Sequence, residues 1–151
     1  MILFLDFDGV LHPEGEGHLP VEAPFCFLPR LEALLREYAD VQVVISSAWR
    51  ERLSLEQLRE IFSEGLRHRI IGTTPWPGRD PAGYVPARRE REIVAWLEAN
   101  GGVAQPWVAL DDAEWQFDDH MDKLVACGSF IGVDDKAETA LRAHFERAVW
   151  P

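Results

Sequence analysis

Apolar and polar residues come in blocks along this chain, and the blocks predict strands alternating with helices. Ile2 to Leu5 is a continuous apolar run, as in a strand buried on both faces of a parallel sheet. Pro29 suits the first turn of a helix whose apolar face is Leu31, Leu34, Leu35 and Tyr38. Val41, Val43, Val44 and Ile45 form a second strand, rich in β-branched side chains. Ser54-Leu55-Glu56-Gln57 reads as a capping box that opens a helix, with Leu55, Leu58, Ile61 and Phe62 as its buried face and Gly65 as its stop. Arg69 to Ile71 predicts a short third strand. A helix from Arg88 to Asn100 buries Ile93, Val94, Trp96 and Leu97 and ends at Asn100-Gly101-Gly102. Trp107 to Leu110 is a fourth strand that runs straight into Asp111-Asp112, and Lys123 to Cys127 a weaker fifth. The last helix spans Asp135 to Val149, with Ala137, Leu141, Phe145 and Val149 as its stripe. Two proline- and glycine-rich stretches, 12–28 and 72–87, have no periodicity and read as surface loops.

This alternation implies an α/β fold of three layers, Rossmann-like, with a mainly parallel sheet and helices on both faces. No repeat, linker or change of composition divides the chain, so one domain is expected over residues 1–151. That length buries a sizeable core without staples. The 15 Lys and Arg against 26 Asp and Glu leave a net charge of −11. Strong nonspecific nucleic-acid binding and adhesion to anionic membranes are therefore not expected. The two cysteines, Cys26 and Cys127, lie far apart without metal spacing; no disulfide framework is expected and a reducing cytoplasm fits. Met1 to Leu5 lacks the basic start and the length of a signal peptide, and no apolar run reaches membrane-spanning length.

Ligands of an open parallel sheet bind beyond the carboxyl ends of its strands. Asp6-Phe7-Asp8-Gly9 follows the first strand, Ser46-Ser47-Ala48-Trp49-Arg50 the second and Asp111-Asp112 the fourth. All three groups fall on one edge. Carboxylates gathered there repel one another unless a cation compensates, and an oxygen-only donor set suits Mg²⁺. Of two carboxylates two residues apart, one can act as a nucleophile that forms an acyl-phosphate and the other as general acid/base.

Taken together, these residues resemble the haloacid dehalogenase-like (HAD) superfamily of phosphohydrolases. Its first motif is an apolar strand ending in D-x-D-G, as in Ile2 to Gly9. Its second is an apolar strand ending in Ser or Thr, as in Val43-Val44-Ile45-Ser46. Its third is a Lys or Arg at the start of a helix, for which Arg88, Arg89 and Arg91 are available. Its fourth is an apolar strand ending in acids, as in Val108 to Asp112. Leu3 to Leu11, Ile45-Ser46-Ser47-Ala48-Trp49-Arg50 and Glu92-Ile93-Val94-Ala95-Trp96-Leu97 are further similar to small domains of this superfamily predicted to act in RNA repair.

The resemblance implies a Mg²⁺-dependent phosphatase in which Asp6 is the nucleophile and Asp8 the general acid/base. The backbone carbonyl of Asp8 would also reach the metal. Ser46, or Ser47 if the strand ends one residue later, would bind a phosphoryl oxygen. Arg89 would stand where the family usually has Lys, and Asp111 and Asp112 would hold the metal, one directly and one through water. An acid two residues after the nucleophile favours phosphoryl transfer over dehalogenation. The spaces between motifs are filled by core helices, so no large cap is expected, and the site admits a phosphate on a small molecule or on a nucleic-acid end.

Arg50 and Trp49 suit a substrate clamp, although Trp49 reads more simply as core. Asp118, Asp119, His120 and Asp122 read first as a solvated loop and second as further carboxylates near the metal. His12 reads as a loop histidine, Glu14 and Glu16 as exposed, and His18, His68 and His144 show no metal-ligand spacing. The competing functions are a receiver-like phosphate-binding domain and a non-catalytic binding module. A receiver has its paired acids first and its phosphorylated Asp later, the reverse of the order here, and a degenerate binding module would be expected to lose Asp6 or Asp8.

Overall fold

In the computed structural model the described residues are 1–14, 24–76 and 83–149. Residues 15–23 and 77–82, the middles of the two proline- and glycine-rich stretches, lie outside them, with Glu16 and His18. Five strands form one all-parallel sheet: β1 (Ile2–Leu5), β2 (Gln42–Ile45), β3 (Ile70–Thr73), β4 (Trp107–Asp111) and β5 (Leu124–Ala126), in the order β3-β2-β1-β4-β5. Parallel neighbours require crossovers; two short 3₁₀ turns make the one between β4 and β5, and the first three of the four α-helices make the others. The helices are α1 (Leu28–Glu37), α2 (Leu55–Glu60), α3 (Arg88–Ala99) and α4 (Asp135–Val149).

The apolar runs are long enough to bury both faces of the central strands. Leu3, Leu5, Val43, Ile45, Val108 and Leu110 pack with Leu31, Leu34 and Leu35 of α1, Leu58 of α2, and Leu141 and Phe145 of α4. Ile2, Phe4, Val44, Trp107 and Ala109 pack on the other face with Ile93 and Leu97 of α3. Side chains of a strand alternate between faces, so each position after Leu5 has a determined side. No helix among the described residues is long and apolar enough to cross a membrane. Cys26 and Cys127 are both free thiols.

Particular contacts explain several boundaries. The capping box opens α2: Gln57 N–H donates to Ser54 Oγ at 3.2 Å, and Ser54 N–H to Gln57 Oε1 at 2.9 Å. This helix ends at Glu60, short of the expected stop at Gly65. The buried Glu32 carboxylate of α1 accepts from Ser63 N–H at 2.7 Å and from its hydroxyl, which draws the chain down onto α1. At the other end of the sheet, Gly101 and Gly102 take left-handed backbone after α3, and Gly102 N–H closes onto Leu97 O at 2.7 Å.

Candidate active site

β1 lies at the centre of the sheet, and the strand order reverses beside it: β2 and β3 continue to one side, β4 and β5 to the other. Crevices form at such reversals, outside the carboxyl ends of the strands. The register places three residues abreast at that point. Leu5 is level with Ile45 and Leu110, so Asp6 is level with Ser46 and Asp111. Ser46 N–H donates to Leu5 O at 2.9 Å, and Asp6 N–H to Leu110 O at 3.1 Å. By strand alternation the side chains of Ser46, Asp6 and Asp111 share the face covered by α3.

Arg89 enters from the first turn of α3. Its Nη1 lies 3.0 Å from Asp111 Oδ2 and 3.3 Å from Asp6 Oδ1. A cation at a helix N-terminus opposes the helix dipole, so the two carboxylates must hold it there. Of the three arginines considered, Arg89 meets the acids. Arg88 pairs with Glu92 and lies over the Trp76 ring, and Arg91 is exposed. The residue before the helix, Ala87, has left-handed backbone at φ +49°, a conformation that costs a non-glycine residue about 1 kcal/mol or more.

Asp6 also accepts Phe7 N–H at 2.9 Å, and Asp111 accepts Ala113 N–H at 2.9 Å. Asp112 completes the cluster. Its Oδ2 accepts from Ser129 Oγ at 2.7 Å, and it lies against Gly9. Gly9 has φ +74°, and a Cβ there would fall 2.2 Å from Asp112 Oδ2, so the D-x-D-G glycine is required twice over. One oxygen from each of Asp6, Asp111 and Asp112 lies within 4.8 Å of the others, the one such group of acids among the described residues.

The electrostatics are those of an under-compensated acidic site. Burial raises the Asp6 carboxyl above its ordinary range against the opposing pull of Arg89. Burial likewise pushes Asp111 up to about 7. Burial works against Arg89, but Asp111 and Asp6 hold its guanidinium more firmly charged than usual. With all three ionised, the carboxylates outnumber the one guanidinium by two charges in a buried site. A divalent cation would balance that excess, and the oxygen-only donor set fits a hard one. Glu14 is exposed, as expected, and its carboxyl is raised by partial desolvation and by the neighbouring Asp112.

Asp8 is set apart from this cluster, with its side chain 40 % exposed. Its Oδ1 lies 2.7 Å from His12 Nε2 and accepts from Trp49 Nε1 at 3.0 Å. The His12 contact, followed by that of Trp49, holds its carboxyl below the ordinary range despite partial burial. Reading His12 as a loop histidine and Trp49 as core missed both contacts. The only local signal was the four-residue spacing from Asp8 to His12.

Two of the candidate residues are engaged within the protein. Arg50 is not a free substrate clamp, because all five of its N–H groups point at protein acceptors: Thr74 O, Ser46 O, Ser47 O, Pro75 O and Glu92 Oε2. Its side chain is 3 % exposed and braces the turn after β2. The Ser47 hydroxyl accepts Trp49 N–H at 3.3 Å and so caps the turn Ala48–Glu51, which leaves Ser46 as the hydroxyl residue level with Asp6. Next to Ser46 comes Thr74, which the sequence did not single out. It is 2 % exposed, and its hydroxyl oxygen has no hydrogen-bond partner among the described residues.

The acids after β4 lie in an exposed loop, outside the Asp6, Asp111 and Asp112 group. Glu90 of α3 accepts the N–H groups of Asp118, Asp119 and His120 at 2.8, 3.2 and 3.2 Å, and the Asp118 and Asp119 side chains are exposed.

Comparison with known protein families matches residues 2–145 to the HAD domain in Swiss Army Knife RNA repair proteins. No curated protein and no solved structure gives a match. A match over nearly the whole chain, on a sheet whose strand ends bring these acids together, means that the chain belongs to this family of HAD domains from RNA repair proteins.

Proposed function

We propose that the domain is a Mg²⁺-dependent phosphomonoester hydrolase working through a covalent aspartyl-phosphate on Asp6, with no large cap over the site. The observation that supports this best is the division of labour between two acids two residues apart. Asp6 is buried, level with Ser46 and paired to Arg89. Asp8 is half-exposed and held by His12 and Trp49. Asp6 attacks phosphorus; the P–O bond to the leaving group breaks as Asp8 delivers a proton to the departing oxygen. Asp8 then takes a proton from the water that cleaves the acyl-phosphate, releasing inorganic phosphate and regenerating Asp6.

Ser46 donates to a phosphoryl oxygen, and Arg89 neutralises charge on the phosphoryl group while keeping Asp6 ionised. A phosphate dianion arriving beside Asp8 raises that carboxyl toward the protonated form it needs as an acid. Asp6, Asp111 and Asp112 would hold Mg²⁺, with the Asp8 backbone carbonyl as a further ligand. The ion would supply charge stabilisation to the transferring phosphoryl group. The family's link to RNA repair favours a phosphorylated nucleic-acid end as substrate, and the net charge of −11 favours contact through that end rather than along a strand.

Purified protein is expected to hydrolyse p-nitrophenyl phosphate with Mg²⁺ and to stop when EDTA is added. Oligoribonucleotides carrying a 5′- or 3′-phosphate then distinguish a nucleic-acid end from small phosphate esters. No Mg²⁺-dependent phosphate release from any of these substrates would overturn the reading.

Metal binding also has a pH signature. Folding raises Asp111 from 3.8 to about 7, so its stabilising contribution is full below 3.8 and is lost as pH rises through about 7. Mg²⁺ requires the carboxylate form. The rise in Tm on adding Mg²⁺ is therefore expected to be larger at about pH 8 than at about pH 5.5. Thermal melts at both pH values test this, and an equal shift counts against metal binding at Asp111.

A further inference from the structure

We infer that His12 and Trp49 are positioning residues for Asp8, fixing which of its two carboxyl oxygens carries the proton to the leaving group. The inference rests on the reading of Asp8 as the general acid/base. A carboxylate at an exposed strand end samples several rotamers. Asp8 is pinned instead by two donors that reach it from 4 and 41 residues away in sequence. The indole N–H of Trp49 can only donate. The donor state of His12 follows from its other nitrogen: Phe25 N–H points at Nδ1 at 3.2 Å, so Nδ1 holds a lone pair and Nε2 carries the hydrogen.

Both donors converge on Oδ1. A proton on Oδ1 would face two other N–H hydrogens, so the acidic proton resides on Oδ2.

The arrangement is closely packed. His12 is 5 % exposed, and its ring centroid lies 5.0 Å from that of Phe25 and 6.0 Å from that of Trp49. Trp49 in turn packs on Phe25 at 5.1 Å and on Phe7 at 5.9 Å. This aromatic group is built from Phe7 within the first motif, His12 and Phe25 after it, and Trp49 in the turn after β2. Beside it lies a pocket of about 290 Å³ lined by Asp8, Trp49, Arg52 and Leu53. In an in-line displacement the leaving group departs on the side away from Asp6, next to its acid, and this pocket adjoins Asp8. The selectivity for one Asp8 oxygen thus matters most for leaving groups that need a full proton.

The test compares leaving groups. With His12→Phe, kcat/KM for a strongly basic alkyl leaving group such as glycerol phosphate is expected to fall roughly tenfold more than for p-nitrophenyl phosphate, since a good leaving group depends less on general-acid help. His12→Asn, whose amide can still donate, should recover part of the loss. In an Asp8→Asn background His12→Phe should add no further loss.

Equal losses for both leaving groups, or an undiminished loss in the Asp8→Asn background, would overturn the positioning role and leave His12 as packing alone. If His12→Phe does not fold, Trp49→Phe keeps the ring, removes the N–H and should give the same leaving-group signature. Failure of the underlying reading looks different, because the unmodified protein would then lack Mg²⁺-dependent turnover. Independently of turnover, long-range ¹H–¹⁵N spectra should place the His12 proton on Nε2; a proton on Nδ1 overturns the inference.

Discussion

Asp6→Asn is expected to abolish phosphate release, with a fall in kcat of at least about 10³-fold, because the amide offers no nucleophilic carboxylate and the covalent route is closed. The effect on stability should run the other way. Asp6 is 6 % exposed, and burial opposes its ionisation. The isosteric amide removes one negative charge from a cluster that carries an excess of them, while Arg89 keeps Asp111 as its partner at 3.0 Å. Without metal at neutral pH, the variant should therefore melt at the same temperature as the parent or higher. Steady-state turnover of p-nitrophenyl phosphate and thermal melts in EDTA measure the two effects. Retained turnover would exclude Asp6 as the nucleophile. Loss of turnover together with a lower Tm would make the inactivity a folding defect rather than a chemical one.

Arg89→Met should carry the largest penalty in stability. Removing one partner of a buried ion pair leaves the other charge uncompensated, at about 3–5 kcal/mol, and here two carboxylates lose the same guanidinium. The sign of the pH dependence follows. Arg89 holds both carboxyls down, so its loss raises their folded values further. The penalty is then small in acid, where the carboxyls are protonated, and grows as pH rises toward and beyond neutrality.

Mg²⁺ should restore part of the lost stability by replacing the missing charge. Arg89→Lys, the residue usual in the wider superfamily, should restore more of both stability and turnover than Met. It keeps the charge but cannot span two carboxylates with a planar fork. Urea unfolding at about pH 5.5 and about pH 8 provides the comparison. A loss below about 1 kcal/mol at both would place Arg89 outside the electrostatic balance of the site.

How much of this was legible in the chain differs by element. β1 and β4 were the clearest strands because each is a nearly unbroken apolar run, which suits a strand covered on both faces. The start of α2 was equally clear, since Ser54 and Gln57 satisfy one another within a single turn. Its end was not, because Glu32 on another helix decides it. The same contrast holds at the site. Gly9 announces its turn locally, but its close approach to Asp112 becomes visible only when β1 and β4 lie side by side. Arg50 read as a free cation because nothing nearby in sequence tells that Thr74 O and Glu92 will receive it.

The sequence by itself determined that acids and a serine would stand at the carboxyl ends of three strands, and their order along the chain. Strand periodicity and parallel crossovers are local rules, so every apolar strand carries its terminal residues to the same edge. Only the tertiary structure decided which of three neighbouring arginines turns inward, that Arg50 braces a turn, and that His12 and Trp49 close on one oxygen of Asp8. Those choices depend on contacts between residues such as Arg89 and Asp111, 22 apart, or Asp8 and Trp49, 41 apart. A buried charge or donor takes whatever partner packing brings within about 3 Å, because in a site emptied of water an unsatisfied polar group costs more than any local preference.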